Sequence, residues 1–172
     1  MLPGVKIRDL NKLPDDRGYF VELLRADWKE FTEGDVFVQS NMSMSYPGII
    51  RAWHRHARGQ VDYFIVLRGA YKFGIYDDRE GSETRGQLDT PVLTSEKLQI
   101  LRVPGYYWHG SKVVSSEPGL LLYFVTRLYD YDNPDEERRP WNDPTIIPKS
   151  INGKIDDPRV GRPWDWYYSP NK

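Results

Sequence analysis

Residues Ala70-Tyr-Lys-Phe-Gly-Ile-Tyr76 alternate with a period of two, which places Tyr71, Phe73 and Ile75 on one face of an extended strand. Leu120-Leu-Leu-Tyr-Phe-Val-Thr126 is a continuous apolar run of strand length and reads as a second strand of a buried sheet. Turn signals at Pro47-Gly48, Arg68-Gly69, Asp77-Asp78, Pro104-Gly105 and Pro118-Gly119 break the chain at intervals that suit an all-β sandwich or barrel, with little helix. From Asp132 onward the periodicity weakens while Pro, Asp, Asn and Trp accumulate. The aromatics Trp141, Trp164, Trp166, Tyr167 and Tyr168 predict an ordered, extended tail packed on the domain, because a disordered linker would not carry them. The pattern therefore predicts one domain over residues 1–172, with a core from about 17 to 131 and a tail from about 132 to 172.

Composition removes several classes of function. At 172 residues the chain can bury a core without disulfides, and the absence of cysteine excludes a disulfide framework, a thiolate zinc site and a cysteine nucleophile. Twenty-four Lys and Arg against 25 Asp and Glu leave a formal charge of −1, which gives no general attraction for nucleic acid or an anionic membrane. Any anion must be held by a local group of arginines. The opening MLPGVKIRDLNKLPDDRG lacks the apolar run of a signal peptide, and no stretch approaches the length of a membrane span. The expectation is a soluble cytoplasmic protein with neither nucleic-acid nor membrane partners.

All three histidines of the chain fall in two short segments. His54 and His56 are two apart in a strand-like stretch and share a face; Asp62 follows, and then Gly69. The pattern resembles the first motif of the cupin barrels, with Asp62 in place of the usual glutamate. Pro104-Gly-Tyr-Tyr-Trp-His109 has the spacing of the second motif. This resemblance implies a cupin-type jelly-roll barrel and puts His54, His56, Asp62 and His109 at metal-ligand positions. Three imidazoles and a carboxylate suit divalent Fe, Mn, Ni, Zn or Cu, and the donors alone do not choose among them.

Four further segments, Asp16-Arg-Gly-Tyr-Phe-Val-Glu22, Phe37-Val-Gln-Ser-Asn-Met-Ser43, Gly48-Ile-Ile-Arg-Ala-Trp-His54 and Trp141-Asn-Asp-Pro144, extend the picture over most of the chain. In this order they resemble the dTDP-4-dehydrorhamnose 3,5-epimerase family, nucleotide-sugar enzymes that are themselves cupin-type jelly rolls, commonly homodimers, and that require no cofactor. The resemblance implies action on a 4-keto-6-deoxy sugar. The C4 carbonyl acidifies the protons at C3 and C5, a base removes one, and an acid returns a proton from the opposite face. His54 matches the family's base, although Ala52 stands where glycine is usual, and Tyr123 matches its acid. Asp157, or Asp156 beside it, falls in the region of the aspartate that pairs with the base. Arg17 and Arg51 match positions that bind the diphosphate, for which a planar guanidinium fork is well suited. Gln39 and Asn41 match a polar strand contacting sugar and nucleotide; Phe20, Glu22 and Tyr129 complete the implied substrate contacts.

Two departures from the family bear on mechanism. The family usually has lysine at the position of Asp62 and glutamine at or near His56, so the exchange replaces a cation beside the developing enolate by an anion that repels it. A divalent metal on His54, His56, Asp62 and His109 would restore a Lewis acid. A ligating His54 is then not free as the base, and Tyr123, a bound hydroxide or another carboxylate takes that role. Without metal, His54 is the base and Asp62 its orienting carboxylate. Two other classes stay open: a metal-dependent cupin isomerase or dioxygenase acting on another small molecule, and a non-catalytic nucleotide-sugar-binding cupin. In the tail, Trp164 and Trp166 either anchor a dimer or cover their own sheet.

Overall fold

The structure, a computed structural model, describes residues 1–169. Its elements in chain order are β1 (Lys6–Asp9), β2 (Leu13–Asp15), β3 (Gly18–Phe20), a single-turn α1 (Lys29–Thr32), β4 (Gln39–Ser45) and β5 (Ile50–His56). The central strands are β6 (Val61–Arg68), β7 (Ala70–Tyr76), β8 (Gln87–Asp89), β9 (Val92–Thr94), β10 (Gln99–Pro104), β11 (Trp108–Val113) and β12 (Gly119–Val125). Short strands β13 (Glu136–Arg138) and β14 (Ser150–Ile151) follow. The alternating segment becomes β7 over its whole length, and the apolar run becomes β12. Among the described residues no helix is long and apolar enough to cross a membrane.

The strands make two large sheets with the expected cupin-type jelly-roll character. One runs β1-β10-β6-β12-β4; the other runs β13-β5-β11-β7-β8-β14, with β9 also paired to β7. The inward side chains of the two sheets, Phe64, Val66, Leu101, Val103 and Leu121 against Tyr71, Phe73, Ile75 and Val113, form one apolar cluster joined by Leu2 and Val5. Each sheet is also covered outside. Residues 21–37, with Phe31 and partly buried Leu24, Trp28 and Phe37, pack on Tyr63, Ile65 and Ile100 of the first sheet. The C-terminal segment packs Ile146, Trp164 and Trp166 on Trp53, Tyr76 and Trp108 of the second.

This settles the position of the tail tryptophans. Trp164 and Trp166 are buried within their own chain at 5% and 2% exposure, so they cover their own sheet and do not serve as dimer anchors. Trp166 stacks near Trp53, with ring centroids 5.0 Å apart, over a strand position that needs glycine. A Cβ on Gly74 would come within 2.7 Å of the Trp53 ring and 2.9 Å of the Trp166 ring. The sheets also reach past both ends of the expected 17–131 core: β1 precedes it, and β13 and β14 lie in the tail. Those strands are too short to show a period of their own and exist because longer neighbours offer hydrogen bonds.

The turn at Asp77-Asp78 forms around a buried charge. Asp77 has no exposed surface and accepts hydrogen bonds from Arg79 Nε at 2.9 Å, Ser82 Oγ at 2.6 Å and Thr84 Oγ1 at 2.6 Å. Burial opposes its charge, but the Arg79 guanidinium and the two hydroxyls outweigh that cost and hold its carboxyl well below the usual aspartate range. The stability this confers is complete above the unfolded-state aspartate pKa of about 4 and is lost as pH falls toward the depressed folded value. Asp77→Asn is expected to lower stability at neutral pH by about 1–3 kcal/mol and to flatten the acid limb of the stability curve, measured by denaturant titration at several pH values.

Candidate active site

Between the sheets lies a pocket of about 990 Å³, lined by β4, β5, β6, β11, β12 and the segment 125–139. Phe64, Phe73 and Leu121 of the inter-sheet core give it an apolar base. His54, His56, Asp62, His109, Tyr123, Gln39, Asn41, Arg51 and Tyr129 all line it, so nine residues singled out by sequence are brought together. No lysine lines it among the described residues.

The histidine side is built by strand register. In the β11–β5 pairing His109 lies opposite His54, and their ring centroids are 4.2 Å apart. The alternation of β5 then puts His56 on the same face, and donor atoms of all three imidazoles lie within 4.8 Å of one another. Asp62 enters from β6 of the opposite sheet, at 2% exposure. Its Oδ2 is 3.3 Å from His56 Nε2 and 3.1 Å from His109 Nε2, and its Oδ1 accepts from Gln60 Nε2 at 2.7 Å. The Tyr107 carbonyl accepts from His109 Nδ1 at 2.9 Å, which places a proton on Nδ1 and leaves Nε2 facing the carboxylate.

Burial shifts these groups apart. Desolvation and the neighbouring His109 push His54 well below the ordinary histidine value, so its imidazole is neutral at neutral pH rather than partly protonated. For Asp62, burial raises the carboxyl, but the imidazoles of His109 and His56 beside it win and keep it ionised. His56 follows the opposite course: burial lowers it, and the Asp62 and Asp135 carboxylates outweigh that and raise it.

The facing side carries the phenol and the arginine. Tyr123 on β12 pairs with Asn41 of β4 and Phe64 of β6, and its ring packs 5.7 Å from that of Phe64. Burial, reinforced by the Asp62 charge, raises its phenol, which keeps it protonated as an acid must be. Arg51 is steadied by Nε donating to Ser45 Oγ at 2.9 Å, which leaves guanidinium N–H groups for a ligand. Gln39 donates to Asn41 Oδ1 at 2.8 Å and accepts from the Tyr129 backbone N–H at 3.0 Å, tying the 126–131 segment to β4.

Four sequence-selected residues lie elsewhere in the chain. Asp157 is held by Arg159, whose Nε and Nη2 donate to it at 2.8 and 2.7 Å, and it does not line the pocket; it therefore does not orient His54 here. Arg17 sits at the tip of the β2–β3 hairpin bound to Asp15 at 2.6 Å, Phe20 is 64% exposed, and Glu22 pairs with Arg25 at 2.5 Å. All three lie outside this chain's own pocket lining.

Sequence reasoning also missed a wall of the site. Asp135, Glu136, Arg138 and Arg139 line the pocket because β13 pairs antiparallel with β5, setting Glu136 opposite His56 and Arg138 opposite His54. Locally, Asp135-Glu-Glu-Arg-Arg139 is a run of charges that reads as solvated surface. Its anchor is Trp108, whose ring centroid lies 4.6 Å from the Arg55 guanidinium and 4.1 Å from that of Arg139. Asp78 joins the stack, accepting from Trp108 Nε1 at 2.8 Å and Arg139 Nη2 at 2.7 Å. Asp78→Ala is expected to loosen this wall, speeding amide hydrogen exchange across 136–139 while leaving β6 and β12 protected.

A jelly roll that holds a partly buried, neutral imidazole on one sheet and a protonated phenol on the other around one pocket is of the cupin class and carries the groups for acid–base chemistry. The dTDP-4-dehydrorhamnose 3,5-epimerase family matches residues 1–164, and the chain belongs to it. The resemblance carried by the four sequence motifs thus holds, and enzymes of this family need no cofactor. The chain is 50% identical over 138 residues to the probable low-salt glycan biosynthesis epimerase Agl13 of Haloferax volcanii, covering 80% of this chain and 87% of that one. It is 39% identical to the spore coat polysaccharide biosynthesis protein SpsL of Bacillus subtilis, covering 85% and 94%. Among solved structures, dTDP-4-dehydrorhamnose 3,5-epimerase from Bacillus anthracis, with TDP and PPi bound, superposes with a TM-score of 0.72 at 29% identity, covering 81% of this chain and 80% of that one.

Proposed function

We propose that the protein is a nucleotide-sugar epimerase that acts on a dTDP-4-keto-6-deoxy sugar, inverting C3, C5 or both in deoxysugar synthesis of the dTDP-rhamnose type. The observation that carries this reading is the opposition of His54 and Tyr123 across one pocket, with the first held neutral and the second protonated. The neutral imidazole takes a proton from the carbon beside the C4 ketone, and the electron pair moves to the carbonyl oxygen as an enolate. The phenol then delivers its proton to the opposite face of that carbon. Arg51 supplies a guanidinium fork for the diphosphate, and Gln39 and Asn41 offer hydrogen bonds to sugar or base. The volume, about 990 Å³, suits a ligand of nucleotide-sugar size. The names of the glycan and spore-coat relatives support a place in polysaccharide synthesis.

The working unit in this proposal is a homodimer. Arg17, Phe20 and Glu22 lie on or beside a hairpin whose Leu13, Tyr19 and Phe20 are 58%, 57% and 64% exposed, an apolar surface that a second copy would cover. Light scattering is expected to give twice the chain mass; a monomer in the presence of ligand removes the dimer from the proposal.

Proton NMR of dTDP-4-keto-6-deoxyglucose in deuterated buffer tests the chemistry. Loss of the C3 and C5 signals is expected, with His54→Asn abolishing it and Tyr123→Phe slowing turnover by about 10²–10⁴-fold while still permitting proton abstraction. Retention of both signals with the wild-type protein overturns the reading.

A further inference from the structure

We propose that His56, His109 and Asp62 hold a divalent transition-metal ion deep in the pocket, beside His54. The spacing is the first reason. Asp62 Oδ2 lies 3.3 Å from His56 Nε2 and 3.1 Å from His109 Nε2, and a coordination polyhedron with bonds of about 2.1 Å has edges of roughly 3.0–3.4 Å. Donor direction is the second. His109 Nδ1 is committed to the Tyr107 carbonyl, and His109 Nε2 is buried and makes no hydrogen bond even though Asp62 Oδ2 is 3.1 Å away. Nitrogen and oxygen are thus close without being aimed at each other, as two ligands of a common ion are.

The surrounding groups fit the outer layer of such a site. Ligating imidazoles normally give their other N–H to a carbonyl or carboxylate. His109 has the Tyr107 carbonyl. His56 Nδ1 is buried without a hydrogen bond 3.8 Å from Asp135 Oδ2, which is also buried and unpaired. Gln60 Nε2 donates to Asp62 Oδ1 at 2.7 Å and so fixes the carboxylate oxygen that the ion does not need; its 3.2 Å contact with His56 Nε2 gives way when that nitrogen binds the ion. His54 is left out of the ligand set: among the described residues, the imidazoles within 4.0 Å of the Asp62 carboxylate are those of His56 and His109. Two imidazoles and one carboxylate favour Fe, Mn, Co, Ni or Zn over Ca or Mg. Resting on the epimerase reading, the ion would polarise the C4 carbonyl in a pocket that no lysine lines, while His54 remains the base.

The test measures metal and chemistry separately. Protein purified without chelator, or stripped and reloaded with Mn²⁺, Co²⁺ or Zn²⁺, is analysed by plasma mass spectrometry, and the cobalt form by visible absorption. About one ion per chain is expected in the wild type and in His54→Asn, with at least a tenfold weaker affinity in His56→Gln and Asp62→Asn. Circular dichroism checks that each variant is folded. Absence of stoichiometric metal after reloading overturns the site, as does full retention by folded His56→Gln and Asp62→Asn; loss in His54→Asn overturns the three-ligand assignment. Deuterium exchange in stripped protein is expected to fall at least tenfold and return with metal, and undiminished exchange overturns the Lewis-acid role. Stoichiometric metal with no exchange in the loaded wild type leaves the site standing and defeats the epimerase reading.

Discussion

An ionised carboxylate with almost no access to water must have its hydration replaced by protein groups, and Asp62 imposes that condition on the whole interior. It sits on β6, which is hydrogen-bonded on both sides by β10 and β12, so it is presented from a well-fixed strand. The imidazoles that face it, His56 and His109, come from β5 and β11 of the opposite sheet. The two sheets are therefore joined by a polar bridge in the pocket and by an apolar cluster in the rest of the space between them. Because the bridge is polar and the cluster is not, the same interior provides both cohesion and a place for chemistry.

The layers outside the sheets serve that arrangement. Segment 21–37 seals one outer face and the tryptophan-rich C-terminal segment seals the other. With both outer faces covered, the inter-sheet space is where the sheets present concave, partly polar surface to a ligand. His54, Tyr123 and Arg51 lie on strands rather than loops, so their positions follow from register and packing. Arg55 and Arg139, both packed on the Trp108 ring and bridged through Asp78, extend this order to the charged wall at β13.

Electrostatics separate the roles of chemically similar side chains. His54, His56 and His109 share one small volume, yet burial drives His54 down while carboxylates draw His56 up. The buried acid and the absence of lysine from the pocket lining among the described residues leave arginines as the cations of the site. Tyr123 responds to the same acid: its phenol is raised in part by the Asp62 charge, which links the two sides of the site.

Much of this was written in local patterns. Alternation marked β7, the apolar run marked β12 and the paired histidines marked one strand face, because periodicity translates directly into which side chains share a surface; the family resemblance marked the other residues that meet in the pocket. Other features were not local. Asp157 looked like a partner for His54 until Arg159, two residues on, was seen to bind it. The charge run at 135–139 gave no sign that it pairs with a strand some eighty residues earlier. The sequence by itself determined the two-sheet class and the identity of the chemical groups, since these depend on short-range pattern and side-chain type. Tertiary structure decided which acid faces which imidazole and that the tail tryptophans turn inward, since those depend on burial and distances between strands far apart in the chain.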